Sequence, residues 1–374
     1  MVAKTVTVGR VKKAGTAALL LLLGAAVFRY PAAAATGASR GLSLCGAIII
    51  PSLLPFLVLT GTFLRSALNE TAGRLLEKPT GALFRLPGCC GAAILLSLTG
   101  GYPAGAAAVR ELLDRRQITA ADGARLLHFC VNAGPAFAVS AVGAGMLGNV
   151  RLGWLLLAAE WAAALLIGVV EARFSKPSRR EAAHFQPPKP LTVAFTDAVN
   201  SACVSLLYMC GFVVLFAVLL CMADASGVTG WFDRLCALPL VLSGRPLSPA
   251  MPSLLAGLLE VSSGCLEVAG SDTFLPFLLG FFLGFGGLSV QCQVRAILAE
   301  YPACCRQFFG FRVLHGLLSG CFAALLSRVV PLSVTTLADG TAQLRLFTAS
   351  PAVSVAMLGM CVAFLLQKRI DKIA

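Results

Sequence analysis

The stretch Ser97-Leu98-Thr99-Gly100-Gly101-Tyr102-Pro103-Ala104-Gly105 interrupts a long apolar run and decides how the chain is read. On both sides the sequence has the composition of membrane helix. In a helix interior a glycine costs about 1 kcal/mol and a proline about 3 kcal/mol relative to alanine. A helix is therefore expected to break here. In hydrocarbon, the freed backbone N–H and C=O groups need partners inside the protein or in a water-filled cavity. Breaks of this kind mark binding sites in transporter-like folds. A second break lies downstream, at Gly284-Phe285-Gly286-Gly287-Leu288-Ser289.

The rest of the chain suits a bilayer. Hydrophobic residues make up 58% and charged residues 13% of 374 positions, and mean hydropathy is +0.85. Soluble domains carry about 25% charge. The length allows about eight to ten segments of roughly 20 residues, and no stretch reads as a separate soluble domain. The net charge of +13 is spread over short loops and both termini, which suits anionic lipid headgroups. Nucleic acid is not an expected partner, because no basic patch is interleaved with aromatics. Most of the fourteen cysteines fall in apolar runs and read as small buried hydrophobes. Cys89-Cys90 and Cys304-Cys305 lack C-x-x-C spacing and the three histidines lie far apart, so no metal or cofactor is expected.

Apolar runs predict spans at 14–30, 42–64, 124–147, 152–170, 198–222, 273–294, 313–330 and 350–367. Residues 4–35 also resemble a signal peptide, but later spans need an inside start, so an uncleaved first span is preferred. Two more apolar stretches, 86–109 and 250–270, are rich in Gly, Ser and Pro. Charge places them. Basic segments occur at 4–13, 65–85, 110–125, 173–189, 295–312 and 368–372. With all of these inside, 86–109 enters and leaves on one side, as a re-entrant hairpin with Thr99–Gly105 at its tip. A hairpin at 250–270, dipping from outside, then lets 273–294 return the chain to Arg295. The alternative makes 250–270 a full span and 273–294 the re-entrant piece. The first layout is an all-α polytopic protein with about eight transmembrane helices and two re-entrant hairpins. Its order of span, hairpin, span, span occurs twice from opposite sides, an inverted-topology repeat. Both termini are then cytoplasmic, and the polar linker 171–197 reads as a cytoplasmic tether between halves or, alternatively, as a partner-docking segment.

Polar groups inside a membrane are costly and so are functional candidates. Asn132-Ala133-Gly134-Pro135 falls in the middle of 124–147, and Asn132 offers both donor and acceptor to a solute or a neighbouring helix. Glu260-Val261-Ser262-Ser263-Gly264 joins a carboxylate to two hydroxyls in the second hairpin. Glu260 could serve a ligand or a coupling proton, or pair with Arg295. Gln291 and Gln293 lie on different helix faces, so only one is expected to face a cavity. Glu160 is either a structural partner or part of a proton relay. His128 and His315, near the inner ends of their spans, read as satisfied interface histidines. No Walker loop, H-E-x-x-H or G-x-S-x-G signature is present, and no enzyme is expected.

Gly100-Gly-Tyr-Pro-Ala-Gly105 with its following Arg-Glu-Leu-Leu and basic turn, Asn132-x-Gly-Pro135, Glu260-x-Ser-Ser-Gly264 and Gly284-Phe-Gly-Gly-Leu-Ser-Val-Gln-Cys-Gln-Val294 together resemble the bacterial sporulation integral membrane protein YlbJ family. That family is similar to proteins with the nucleoside-recognition, or Gate, domain, found also in spore maturation proteins, concentrative nucleoside transporters and ferrous-iron transporters. The resemblance implies an α-helical cell-membrane protein active in spore formation, with Gate-like repeats at 42–170 and 198–330. An N-terminal helix and loop (1–41) and a C-terminal loop and helix (331–374) flank them. The expected activity is transport or sensing of a small polar, nucleoside-like solute. The rival is a non-transporting scaffold for spore-envelope assembly, with spore-envelope proteins or further copies of itself as partners. The expected solute site is Thr99, Gly100, Gly101, Tyr102, Pro103, Gly105, Asn132, Gly134, Pro135, Glu260, Ser262, Ser263, Gly286, Gly287, Ser289 and Gln291.

Overall fold

The computed structural model describes residues 20–175, 190–242, 252–269 and 276–329, together with 15, 17 and 18. The expected span 350–367 and most of the linker lie outside the described residues. Among the described residues the regular structure is entirely helical. Four helices are long and apolar enough to cross a membrane alone, and counting each of two bent pairs as a span raises the number to six. About eight were expected over the whole chain, of which 350–367 lies outside the described residues; within them the chain breaks or bends inside several apolar runs, leaving pieces such as Ala136–Met146 that are too short by themselves.

A helix α1 (Leu20–Arg29) bends by 100° into α2 (Pro31–Leu44). Helix α2 continues through a π-type turn into α3 (Ile50–Arg65). This run lies antiparallel to the 35-residue α10 (Leu191–Ala225). A Cβ on Gly41 would lie 2.7 Å from Val214 Cα, and one on Gly61 would lie 3.1 Å from Ala198 Cβ. Short helices α4 (Ala67–Leu75) and α5 (Glu77–Phe84) lead into α6 (Cys89–Gly100) and α7 (Tyr102–Asp114).

Helices α6 and α7 fold back on each other. A Cβ on Gly105 would lie 3.0 Å from Ser97 Cβ, whereas residues eight apart in one helix are separated by about 12 Å. The turn is Gly101, at φ +85° and ψ 179°, a region open essentially to glycine alone. The second stretch behaves alike. Helix α11 (Val228–Leu242) precedes α12 (Leu254–Leu259) and α13 (Val261–Ala269), which pivot at the extended Glu260. A Cβ on Gly264 would lie 2.2 Å from Gly257 Cα, so this pair is also a closed hairpin. Residues 252–269 are thus not one straight span.

Each hairpin is followed by a broken helix and then a long one. Helix α8 (Ala120–Phe129), opened by a Thr119–Asp122 capping box, ends before Cys130, and a π-type helix resumes at Ala136–Met146. Both pieces lie antiparallel to α9 (Val150–Phe174). His128 meets Glu171 at 2.8 Å near one end, Ala133 meets Glu160 at mid-length, and Gly143 packs on Gly153 near the other end. Helix α14 (Pro276–Phe285) breaks at Gly286 and resumes as α15 (Gly287–Ile297). Gly286 and Gly287 both have positive φ. A 3-10 turn, Pro302–Cys305, leads to α16 (Phe308–Val329). Helices α14 and α16 pack through Gly280 and Gly284 against Gly320 and Gly316. Such small-xxx-small faces bring helix backbones close in lipid.

The core joins both hairpins, both broken helices, α9 and α16. Helices α3 and α10 form a second cluster beside it. Leucines such as Leu165, Leu166, Leu207, Leu215, Leu317 and Leu325 stay exposed on the outer faces of α9, α10 and α16. Water does not tolerate so large an apolar girdle, but lipid does.

Candidate functional site

Four backbone breaks lie inside the core, so their polar groups need partners. The residues expected to bind a solute supply many of them. At the first hairpin tip, Trp161 Nε1 donates to Leu98 O at 3.1 Å, and the Tyr102 hydroxyl donates to Leu283 O of α14 at 2.7 Å. At the α8 break, Asn132 Nδ2 donates to Ser97 Oγ (3.1 Å) and Phe129 O (2.9 Å), while the Ala133 N–H donates to Glu160 Oε1 at 2.5 Å. At the second tip, Glu260 accepts from the Ser262 and Ser263 N–H groups (3.0 and 2.8 Å) and from Ser263 Oγ at 3.1 Å. It caps its own helix rather than pairing with Arg295.

Tips and breaks also touch. A Cβ on Gly134 would lie 2.8 Å from Gly101 N, and one on Gly287 would lie 3.1 Å from Glu260 Cα. Each hairpin tip therefore seats against the break of the helix that follows it.

Arg312 ties the two breaks together. By sequence it closes the basic segment 295–312, yet it is fully buried. Its Nε donates to Phe285 O at 3.2 Å and its Nη1 donates to Val131 O. Phe285 O lies at the C-terminal end of α14 and Val131 O just past that of α8, where helix dipoles are negative. His315 lies deep in the core, not at an interface. Its Nε2 meets Glu160 O at 3.1 Å and its Nδ1 meets Arg312 Nη1 at 3.0 Å. The guanidinium has only hydrogens to offer, so Nδ1 accepts and Nε2–H donates, which makes the ring neutral.

Of the expected site residues, Gly101, Tyr102, Asn132, Gly134, Glu260 and Gly287 gather at these contacts. Thr99 is exposed and turned back to Leu95 O. Gly105 packs against Cys130 O, Ser289 accepts from Gln293 Nε2 at 3.1 Å, and Gln291 is buried with its Nε2 unpartnered. Gly100, Pro135, Ser262, Ser263 and Gly286 complete the turns. The centre is packed rather than open.

The open space lies to one side. A cavity of about 810 Å³ is bounded by α3, α7, α10 and α15, with Pro103 and Gln293 in its wall. Of the two glutamines, Gln293 faces it. The other polar walls were missed from sequence: Arg65, Asp197, Asn200 and Ser201 on one side, Arg110, Glu111 and Asp114 on the other. Asp197, Asn200, Ser201, Ser205 and Tyr208 form a stripe at helical spacing along the otherwise apolar α10, and that stripe was the available signal. Arg65 Nη2 donates to Ser201 Oγ at 2.8 Å, and Arg110 donates to Ile297 O at 2.9 Å and Glu300 at 2.8 Å. The Tyr301 hydroxyl donates to Asp114 at 2.8 Å, and this carboxylate holds the phenol above its usual range. Asn200 Oδ1 is buried without a hydrogen-bond partner.

The fold and its buried polar centre define a multi-pass α-helical integral membrane protein. A curated relative, the sporulation integral membrane protein YlbJ of Bacillus subtilis (strain 168), is 31% identical over 336 residues, covering 83% of this chain and 81% of its own length. The chain belongs to the YlbJ family. No protein-family model matches it, and no solved structure does.

Proposed function

We propose that this protein acts in the membrane during spore formation, passing or sensing a small polar solute without catalysing a reaction. In this reading the two hairpin-plus-broken-helix units form an inverted repeat of the Gate-like kind, with each hairpin re-entrant from an opposite face. The packed centre is then the closed barrier and the 810 Å³ cavity its solute vestibule. The observation that carries the reading is the cavity itself, which reaches Pro103 and Ala104 at the first hairpin tip and is walled by polar groups from four helices. Its ends also orient it. Arg65, Arg110 and Ile297 each adjoin a basic segment, and the positive-inside rule then makes it open to the cytoplasm. Binding sites are concave and carry a few convergent polar groups.

Thermal-shift screening of the detergent-purified protein tests this, with nucleosides, nucleobases, amino acids and divalent metals as probes. A ligand at 100 times its Kd stabilises a fold by about 2.7 kcal/mol. Asn200→Leu should abolish the shift while the unliganded protein stays folded, with its stability changed by about 1 kcal/mol. No shift with any probe, in a well-folded protein, favours the scaffold reading.

A further inference from the structure

Two carboxylates are enclosed at the centre, and their hydrogen-bond shells differ. Glu260 has donors on both oxygens, from the Ser262 N–H, the Ser263 N–H and the Ser263 hydroxyl. That shell suits an ionised group at a helix start. Glu160 is fully buried and has one donor, Ala133 N–H on Oε1; its Oε2 is buried with no partner. At the same break, Asn132 Oδ1 is also buried and unpartnered. Two acceptors at one break lack a hydrogen. The neighbouring cation does not supply it. Arg312 forms no ion pair among the described residues, and its Nη2 has no partner. The Arg312 charge is met instead by Val131 O, Phe285 O, His315 Nδ1 and the face of the Tyr102 ring, whereas an ionised Glu160 in the same core would draw the guanidinium into a close ion pair.

We propose that Glu160 is a proton-binding site that carries its proton in this closed arrangement. On release the O–H bond at Oε2 breaks, its electron pair stays on the carboxylate, and the proton passes to water. The new charge then faces Arg312 and strains that residue's hold on Val131 O and Phe285 O. The charged and titratable groups around Glu160 are Arg312 and His315 on α16 and Tyr102 at the first hairpin tip. Helix α14 and the π-type helix bring none. Helix α8 contributes Asp122, Arg125 and His128 toward the far end of α9, where His128 meets Glu171, and α5 contributes Glu77 and Lys78 beyond Phe84. The proton site stands on this geometry; only its use in driving a solute rests on the transport reading.

Infrared difference spectroscopy on the full chain in phospholipid vesicles, across an alkaline step, reads the site directly. The expected result is a C=O stretch of an un-ionised carboxyl group that disappears on alkalinisation. It should be absent in Glu160→Gln and kept in Glu260→Gln. Amide exchange at Val131–Gly134, corrected for intrinsic rates, should quicken across the same step in the parent but not in Glu160→Gln. A band lost in Glu260→Gln instead, or unchanged in Glu160→Gln, overturns the proposal, as does unchanged exchange in the parent. If Glu160→Gln does not fold, Glu160→Asp should move the band, and an unmoved band overturns the proposal equally. A titrating Glu160 in a protein that answers no solute leaves the proton site standing and removes the transport reading.

Discussion

The two hairpin tips solve one problem by different means. The first turns on Gly101 at φ +85° and lends its side chains outward: Tyr102 serves Leu283 O of the other unit and Ser97 accepts from Asn132. The second turns on Glu260, which keeps its hydrogen bonds within its own hairpin at Ser262 and Ser263. The first tip is therefore wired into the rest of the core, while the second is largely self-contained. Bulk, charge and hydrogen-bond changes should accordingly spread from the first unit and stay local in the second.

The largest effect is expected at the fold-back contacts. Gly105→Val places a Cβ 1.7 Å from Cys130 O, and Gly264→Val places one 2.2 Å from Gly257 Cα. Neither backbone can yield, so both variants should fail to give monodisperse protein by size exclusion. Arg312→Met comes next. It strands two buried carbonyls, each worth about 1–3 kcal/mol when unsatisfied, and should lower stability in detergent denaturation by roughly 2–5 kcal/mol. Amide exchange should quicken at both breaks, Val131 and Phe285; quickening at one alone would break the picture of a shared tie.

Glu260→Ala removes an N-terminal cap, worth about 0.5–2 kcal/mol. Faster exchange should stay within 254–269, and spread into α6 and α7 would contradict the contrast between tips. Tyr102→Phe deletes a single hydrogen bond, about 1 kcal/mol. Despite its smaller size, its effect should appear in the other unit, as faster exchange around Leu283.

Breakage was legible in the sequence wherever glycine and proline crowd an apolar run, as at Gly100-Gly101 and Gly286-Gly287. The first hairpin follows from that composition together with the basic loops, whereas the same charge pattern left 250–270 open between a hairpin and a full span. The partners of the breaks were harder to see. Arg312 belongs to a basic segment by sequence but to the core by packing, because the carbonyls it serves lie 27 and 181 residues away. Long-range pairing of that kind leaves no local pattern. Asn132 and Glu260 stood out as polar groups in apolar runs, but their near neighbours claim much of their capacity. The wall of the cavity was available as the α10 stripe from Asp197 to Tyr208, and the net apolarity of that helix masked it. The glycine pairs of α14 and α16 were equally readable, as two small-xxx-small spacings.

The central claim is that the two units enter the membrane from opposite faces. Impermeant-thiol labelling of introduced cysteines tests it most directly, with Cys89, Cys236, Cys292 and Cys321, the cysteines not buried among the described residues, and Cys361 replaced by serine. Lys78→Cys and Arg116→Cys flank the first hairpin, and Ser226→Cys precedes the second; all three positions are exposed. The account predicts that positions 78 and 116 label from one face of sealed vesicles and position 226 from the other. Labelling of 78 and 116 from opposite faces, or of all three from the same face, would contradict it.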